Sequence, residues 1–191
     1  MVMLLLVLLL VSAVNANSFI VFGDVHFDPY GDPLHFNSST FCRPHTHFTE
    51  IDDEFLEQRS LAIMNAKYLQ SRPGSIGAYG SIGCDSPLRL VTDSISAIAA
   101  VASPTTDFVL FAGDLIAHQM PSLPAAEQAY LSGCAEINRL LPGQQIIPTI
   151  GNNDPYPPYS NGECQGDSVV SLANLLDQCG WMPQGEKEGF I

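Results

Sequence analysis

The chain has 191 residues, 46% of them hydrophobic, and a formal net charge of −13, which is apolar material enough for one compact domain of ordinary size. Seven basic residues against twenty acidic ones argue against a nucleic-acid-binding surface, because gripping a phosphate backbone takes clustered Lys and Arg. No long run carries a single sign, so the acidity reads first as a device for solubility.

The first sixteen residues carry no charge and one dense apolar run, Met3 to Val11. That run is shorter than the roughly 20 residues needed to span a bilayer. It leads into Val14-Asn15-Ala16, and small residues one and three back from a cut suit signal peptidase. Residues 1–16 therefore read as a secretory signal with Asn17 as the mature start. A positive n-region is missing, which leaves an uncleaved anchor as the alternative. In a secreted chain Asn37-Ser38-Ser39 is a usable glycosylation acceptor.

Ser18 to Gly23 is a short apolar run stopped by glycine, the pattern of a buried parallel strand. Residues 28–84 then interrupt the rhythm: the stretch is rich in Pro, Gly, His and Ser, with one helix expected from Asp52 to Ser71. So long an excursion is usually functional or stapled down. Cys42 and Cys84 bracket it, and a disulfide between them would be the staple. Three further cysteines, Cys134, Cys164 and Cys179, make the count odd. Either one thiol is free or its partner lies on sequence not present here.

A helix is expected over Ser86–Ala102, where Leu88, Val91, Ile95, Ile98 and Val101 recur every three or four residues. Asp107 to Ala112 repeats the strand pattern. Pro124 to Leu141 reads as the next helix, with Pro near its start and Pro142-Gly143 just past its end. Gln145 to Ile150 is the third strand, and Asp167 to Cys179 a third helix with Gly180 as its C-cap. Strands alternating with helices imply an α/β fold around a largely parallel sheet. The chain then ends at Ile191 with no closing element, so the sheet is expected to be incomplete.

All three strands run into the same kind of segment: Gly23-Asp24-Val25-His26, Gly113-Asp114 and Gly151-Asn152-Asn153-Asp154. Ligands of open α/β sheets bind beyond the carboxyl ends of the strands. Asp24, His26, Asp114 and Asn152 thus come to one edge, with oxygen and nitrogen donors suited to divalent cations. In an extended segment Asp24 and His26 would point the same way and reach one ion. Asp114 has two carboxylate oxygens and could bridge two ions about 4 Å apart.

This order of motifs resembles the calcineurin-like metallophosphoesterases. Cys84-Asp-Ser-Pro-Leu-Arg-Leu-Val91 and Gly113-Asp114-Leu-Ile-Ala-His118 narrow the resemblance to the acid sphingomyelinase-like phosphodiesterases, over about Ser18 to Trp181. The resemblance implies a four-layer α/β/β/α sandwich, incomplete at its C-terminal side, and two divalent ions, with zinc favoured. Asp24 and His26 would hold the first ion, Asp114 would bridge, Asn152 would bind the second, and His118 would face the substrate phosphate. His35, His45 and His47 match no motif. The family also uses a later histidine and a Gly-His-x-His pair, yet no histidine follows His118. The chain by itself is therefore expected to be inactive, and a truncated non-catalytic product lacking the C-terminal metal ligands stands as an alternative to a hydrolase.

Asn153 departs from the pattern, standing where the family usually has a phosphate-contacting histidine able to act as general acid. An amide can hydrogen-bond a phosphate but supplies no proton at useful pH. Gly-Asn-Asn-Asp also resembles the endopolyphosphatase branch, whose phosphate leaving group needs little protonation. No saposin-like segment precedes the first strand. The expected substrates are thus phosphodiesters of sphingomyelin or nucleotide type, or alternatively polyphosphate, in a secreted or lysosomal (vacuolar) setting.

Overall fold

A computed structural model describes residues 18–31, 42–43, 79–80, 84–102, 106–160 and 167–182. Its elements run β1 (Ser18–Phe22), α1 (Leu88–Val101), β2 (Thr106–Phe111), α2 (Leu123–Leu140), β3 (Ile146–Pro148) and α3 (Asp167–Gln178). The expected α/β alternation is therefore present among the described residues. The signal segment, Asn37, the helix expected over 52–71, His35, His45, His47 and Cys164 lie outside them.

The strands form one parallel sheet in the order β1-β2-β3. Crossovers between parallel strands run right-handed, which places α1 and α2 on one face of a sheet built in that order. Val109 and Phe111 point into this side and are fully buried, with Ile20, Phe22 and Ile146 beside them. Trp181, just past α3, packs its ring against Phe111 and Tyr130, with centroids 5.6 Å and 6.5 Å apart. Its indole N–H donates to Asn138 Oδ1 at 2.8 Å, so the one polar atom of a buried ring is satisfied.

Element ends differ from the sequence expectation for local reasons. The first helix begins at Leu88 rather than Ser86, because Ser86 is taken by backbone bridging to the segment after β1: its N–H donates to His26 O and its carbonyl accepts from Asp28 N. β3 spans only Ile146–Pro148, although one further bond to β2 follows it, Thr149 N donating to Phe111 O at 2.7 Å. Ser122 caps α2 by accepting from Ala125 N, with Pro124 in the first turn. Gly180, at φ 72°, ends α3 as expected.

Among the described residues two disulfides are formed, Cys42–Cys84 and Cys134–Cys179. The second ties α2 to the end of α3 across a separation of 45 residues, a crosslink worth about 4 kcal/mol in the chain-entropy picture.

The opposite sheet face is apolar and open. Phe19, Val21, Phe108, Leu110 and Ile147 fall on it in register, with Phe19 57%, Val21 54% and Ile147 37% exposed. Phe19 and Phe108 stack at 5.2 Å. A contiguous patch of this kind promotes association. Residues 17–191 expressed alone should therefore self-associate, and Phe19→Ser with Val21→Thr should shift the protein toward monomer in sedimentation velocity. A parent protein that is already monomeric at tens of micromolar (about 50 µM) would contradict the argument.

Candidate metal and phosphate site

The three strand ends stay knitted together after the strands stop. Asp24 N donates to Gly113 O, His26 N to Asp114 O and Phe27 N to Leu115 O, at 3.0, 3.0 and 2.8 Å. The segments therefore remain side by side, but not as extended chain. Asp24, His26 and Asp114 have φ of 52°, 46° and 54°, the left-handed region that costs an L-residue roughly 1–2 kcal/mol. The expectation that Asp24 and His26 meet by strand alternation is thus corrected: they meet because both residues turn left-handed while their N–H groups remain bound to the neighbouring loop.

Two glycines make the close approach feasible. Gly113 has φ 87°, and a Cβ there would overlap the Gly151 nitrogen, while a Cβ on Gly151 would overlap the Asp114 carboxylate. The ends of β2 and β3 touch backbone to backbone. That contact leaves the Asp114 side chain directly over the turn that follows β3.

Asp154 locks this turn. Its carboxylate accepts from the backbone N–H of Asp114, Leu115 and Gly151 at 2.9, 2.7 and 2.8 Å. In return Asp114 Oδ1 accepts from Asn153 N at 2.8 Å. Asn153 is buried, and Asn152 lies between two residues fixed by this knot, its own carbonyl accepting from Tyr159 N. Sequence reasoning assigned Asp154 no role. Its Gly-x-x-Asp turn spacing was the available signal, since short polar side chains often close such turns.

Burial pushes the Asp154 carboxyl up, with the three N–H donors pulling against it; burial likewise raises Asp28, opposed by the Arg43 guanidinium. Carboxyls raised by folding add stability that is full below their unfolded value of about 4 and is lost as pH rises through the folded value. Glu136, lowered chiefly by its hydrogen bonds from Arg139, and Asp93, lowered chiefly by its hydrogen bond from Tyr79, act in the other direction, losing their contributions as pH falls through the lowered values. Asp93 is partly exposed and Glu136 has a solvent-facing partner, so their weight is small. The metal-free chain should therefore melt higher at pH 5 than at pH 7.5. One kcal/mol corresponds to about 2–4 °C for a domain near this size. Asp154→Asn should flatten that slope and cost about 1–3 kcal/mol through donors left unpaired. A midpoint that climbs steadily from pH 5 to 7.5 would overturn the assignment.

Asp24, His26 and Asp114 each offer a ligand atom, and the three atoms lie within 4.8 Å of one another. His26 Nε2 stands 3.8 Å from Asp24 Oδ1, and the Asp24 side chain is 83% exposed. His26 Nδ1 is buried with no hydrogen-bond partner among the described residues. A buried nitrogen left without a partner is costly, and the ring that carries it also brings Nε2 beside the Asp24 carboxylate, so the imidazole fits a cation's donor set.

His26, Asp85 and His118 form a second such group, but it does not suit one ion. The two imidazoles stack at 4.3 Å with planes 9° apart. A nitrogen lone pair lies in its ring plane, and two stacked planes share no point where an ion could sit. Asp85 also has its oxygens engaged elsewhere: His118 N donates to Oδ2 at 3.0 Å and His118 Nδ1 meets Oδ1 at 2.7 Å. The first group is thus the better cation site, and His118 borders it as a neighbour.

Behind His118 lies a buried ionic cluster. Arg43 Nε donates to Asp28 Oδ2 at 2.9 Å, Nη1 to Gln119 O at 2.9 Å, and Nη2 lies 3.6 Å from Asp85 Oδ2. Asp28 also accepts from Tyr30 N. Asp28, Arg43 and Asp85 were missed by sequence reasoning. Asp85 stood in a quoted motif, whereas Arg43 lies in the excursion, and no spacing connects it to residues 76 positions away.

A family model for calcineurin-like phosphoesterases matches residues 18–189. The chain is 33% identical over 193 aligned residues to sphingomyelinase phosphodiesterase D of Dictyostelium discoideum, covering all of this chain and 42% of that protein. It is 31% identical over 111 residues to the cyclic GMP-AMP phosphodiesterase SMPDL3A of Bos taurus, covering 56% of this chain and 23% of the relative. The chain therefore spans less than half the length of either relative.

Proposed function

The chain belongs to the calcineurin-like phosphoesterase family, and on that premise we propose that it contributes to the active site of a metal-dependent phosphoric diester hydrolase of acid sphingomyelinase type. The observation that carries the proposal is the convergence of Asp24, His26 and Asp114 at the carboxyl edge of the parallel sheet. Asp24 and His26 would hold one divalent ion, with Asp114 and Asn152 as the donors available to a second. Zinc is the ion that the family resemblance favours, and the imidazole of His26 suits it. Such ions lower the pKa of bound water and polarise phosphoryl oxygens.

The protein's own groups do the remaining work. The knot around Asp154 fixes Asp114 and the turn bearing Asn152 and Asn153, so the donors are held before substrate arrives. His118, with 41% of its side chain exposed, faces the phosphate on the open side of the cluster. Asn153 orients a phosphoryl oxygen by hydrogen bonding and moves no proton. Substrates are phosphodiesters of the sphingomyelin or nucleotide kind, as the names of the relatives suggest. Asn153 supports a second reading, hydrolysis of phosphoanhydrides such as polyphosphate. Residues 1–16 as a leader, glycosylation at Asn37 and the two disulfides suit a secreted or lysosomal protein.

The test is zinc-dependent hydrolysis of bis-p-nitrophenyl phosphate, sphingomyelin and polyphosphate by a chimera in which a relative's C-terminal half supplies the later histidines, with residues 17–191 alone expected to be inactive. Turnover of a diester by the chimera that stops with a chelator and returns with zinc is the expected result. Chelator-resistant turnover, or none of any substrate in a zinc-loaded, folded chimera, would sink the proposal.

A further inference from the structure

We propose that Asp85 is the positioning residue of His118, and that the Cys42–Cys84 disulfide with Arg43 is the clamp that holds Asp85 in place. This rests on the reading of His118 as a phosphate-facing residue, but its test does not.

The grip on His118 is two-handed. Asp85 takes the backbone N–H with one carboxylate oxygen and the ring Nδ1 with the other, at 3.0 and 2.7 Å. A carboxylate accepts and does not donate, so Nδ1 carries the hydrogen and Nε2 is the ring's acceptor nitrogen. On the far side, Arg43 donates to the carbonyl of Gln119, a residue held left-handed at φ 44°. His118 is therefore fixed at its ring, its own N–H and the peptide that follows it, and the flat face of the ring lies on His26.

The clamp follows from sequence adjacency. Arg43 comes directly after Cys42, and Asp85 directly after Cys84, so the disulfide forces the guanidinium and the carboxylate into one place. Both side chains are 6% exposed, and Arg43 simultaneously reaches Asp28, Gln119 and Asp85. The guanidinium spreads its donors over three nitrogens and so spans these separated acceptors, whereas a lysine has all its donors on one nitrogen. Cys42 itself is left-handed, at φ 63°, a conformation that the crosslink keeps. Ser86, on the other side of Asp85, is bound through its backbone to His26 and Asp28. The end of the long excursion is thus stitched to the metal-site segment at consecutive residues.

The chain has five histidines, and long-range proton–nitrogen spectra of ring-labelled protein distinguish Nδ1–H from Nε2–H for each. At about pH 8 ordinary histidine rings are neutral. One ring, identified by its disappearance in His118→Gln, should be the Nδ1–H form. In Asp85→Ala it should revert to mainly Nε2–H, the form that unconstrained histidine favours, and Asp85→Glu should restore Nδ1–H. Cys42→Ser with Cys84→Ser should give a mixture of the two forms. Should that pair prevent folding, Arg43→Lys tests the same clamp and should also give the mixture. An Nε2–H ring in the parent, or an Nδ1–H ring that survives in Asp85→Ala, overturns the positioning role. Unmixed Nδ1–H in both the serine pair and Arg43→Lys overturns the clamp. Failure of the parent to bind zinc would count against the proposed function alone, since the tautomer is read without metal.

Discussion

Asp114→Asn should weaken zinc binding by the chain by more than 100-fold, measured by competition with a chromophoric chelator. Removing even an outer partner of a metal ligand typically costs about 10–100-fold, and Asp114 is proposed to touch the ion itself. Asparagine is the informative replacement because it keeps size and shape. Its amide oxygen can still accept from Asn153 N, as Asp114 Oδ1 does at 2.8 Å, so the turn after β3 should survive. The charge that attracts the cation, and the second equivalent oxygen, are what disappear. A melting midpoint within a few degrees (about 2–4 °C, or roughly 1 kcal/mol) of the parent would confirm that the loss is one of ligand and not of fold. Undiminished zinc affinity would mean that the ion sits elsewhere.

The second large effect belongs to Asn153. With an amide where the related enzymes usually carry a histidine, the rate should depend on how readily the leaving group departs unaided. Phosphate leaving from a polyphosphate needs little help, whereas ceramide alkoxide leaving from sphingomyelin needs a proton. General acid catalysis is worth on the order of 10²–10⁴-fold, so the chimera carrying a relative's C-terminal half should prefer the anhydride by a factor of that size relative to a histidine-bearing enzyme. Asn153→His should raise sphingomyelin hydrolysis far more than polyphosphate hydrolysis. Asn153 is buried with its backbone N–H tied to Asp114, so a side chain placed there is aimed by the same knot that holds Asp114. Equal acceleration of both substrates, or of neither, would mean that another group already delivers the proton.

Much of the frame was legible because it is written locally. Ser18–Phe22, Thr106–Phe111 and Ile146–Pro148 are apolar runs ended by glycine, and the helices between them carry stripes of three- and four-residue spacing. The strand-end motifs could be read for the same reason: position at the carboxyl end of a parallel strand is a property of topology. Partnerships across the chain were not written in any spacing. Asp154 finds its donors at Asp114 and Leu115, 40 and 39 residues earlier, and Arg43 finds Gln119 76 residues later. The Cys134–Cys179 bond was equally hidden, because three cysteines with no bracketing role allow more than one pairing. The left-handed turns at Asp24 and His26 escaped notice because Asp-x-His is equally compatible with extended chain, and only the bonds to residues 113 and 114 decide the matter.

Those left-handed turns also restrict which residues could ever replace the proposed ligands. Away from glycine, the residues that enter this region most readily are asparagine, aspartate and histidine. The same short list supplies oxygen and nitrogen donors for a divalent cation. Backbone and ligand chemistry therefore select twice from one small alphabet at positions 24, 26 and 114. Glutamate keeps the carboxylate but has no such ease in the left-handed region, and glycine relaxes the backbone but holds no ion. Drift at these three positions is confined to a few exchanges such as Asp for Asn, each of which alters the charge around the ion while leaving the path of the chain alone.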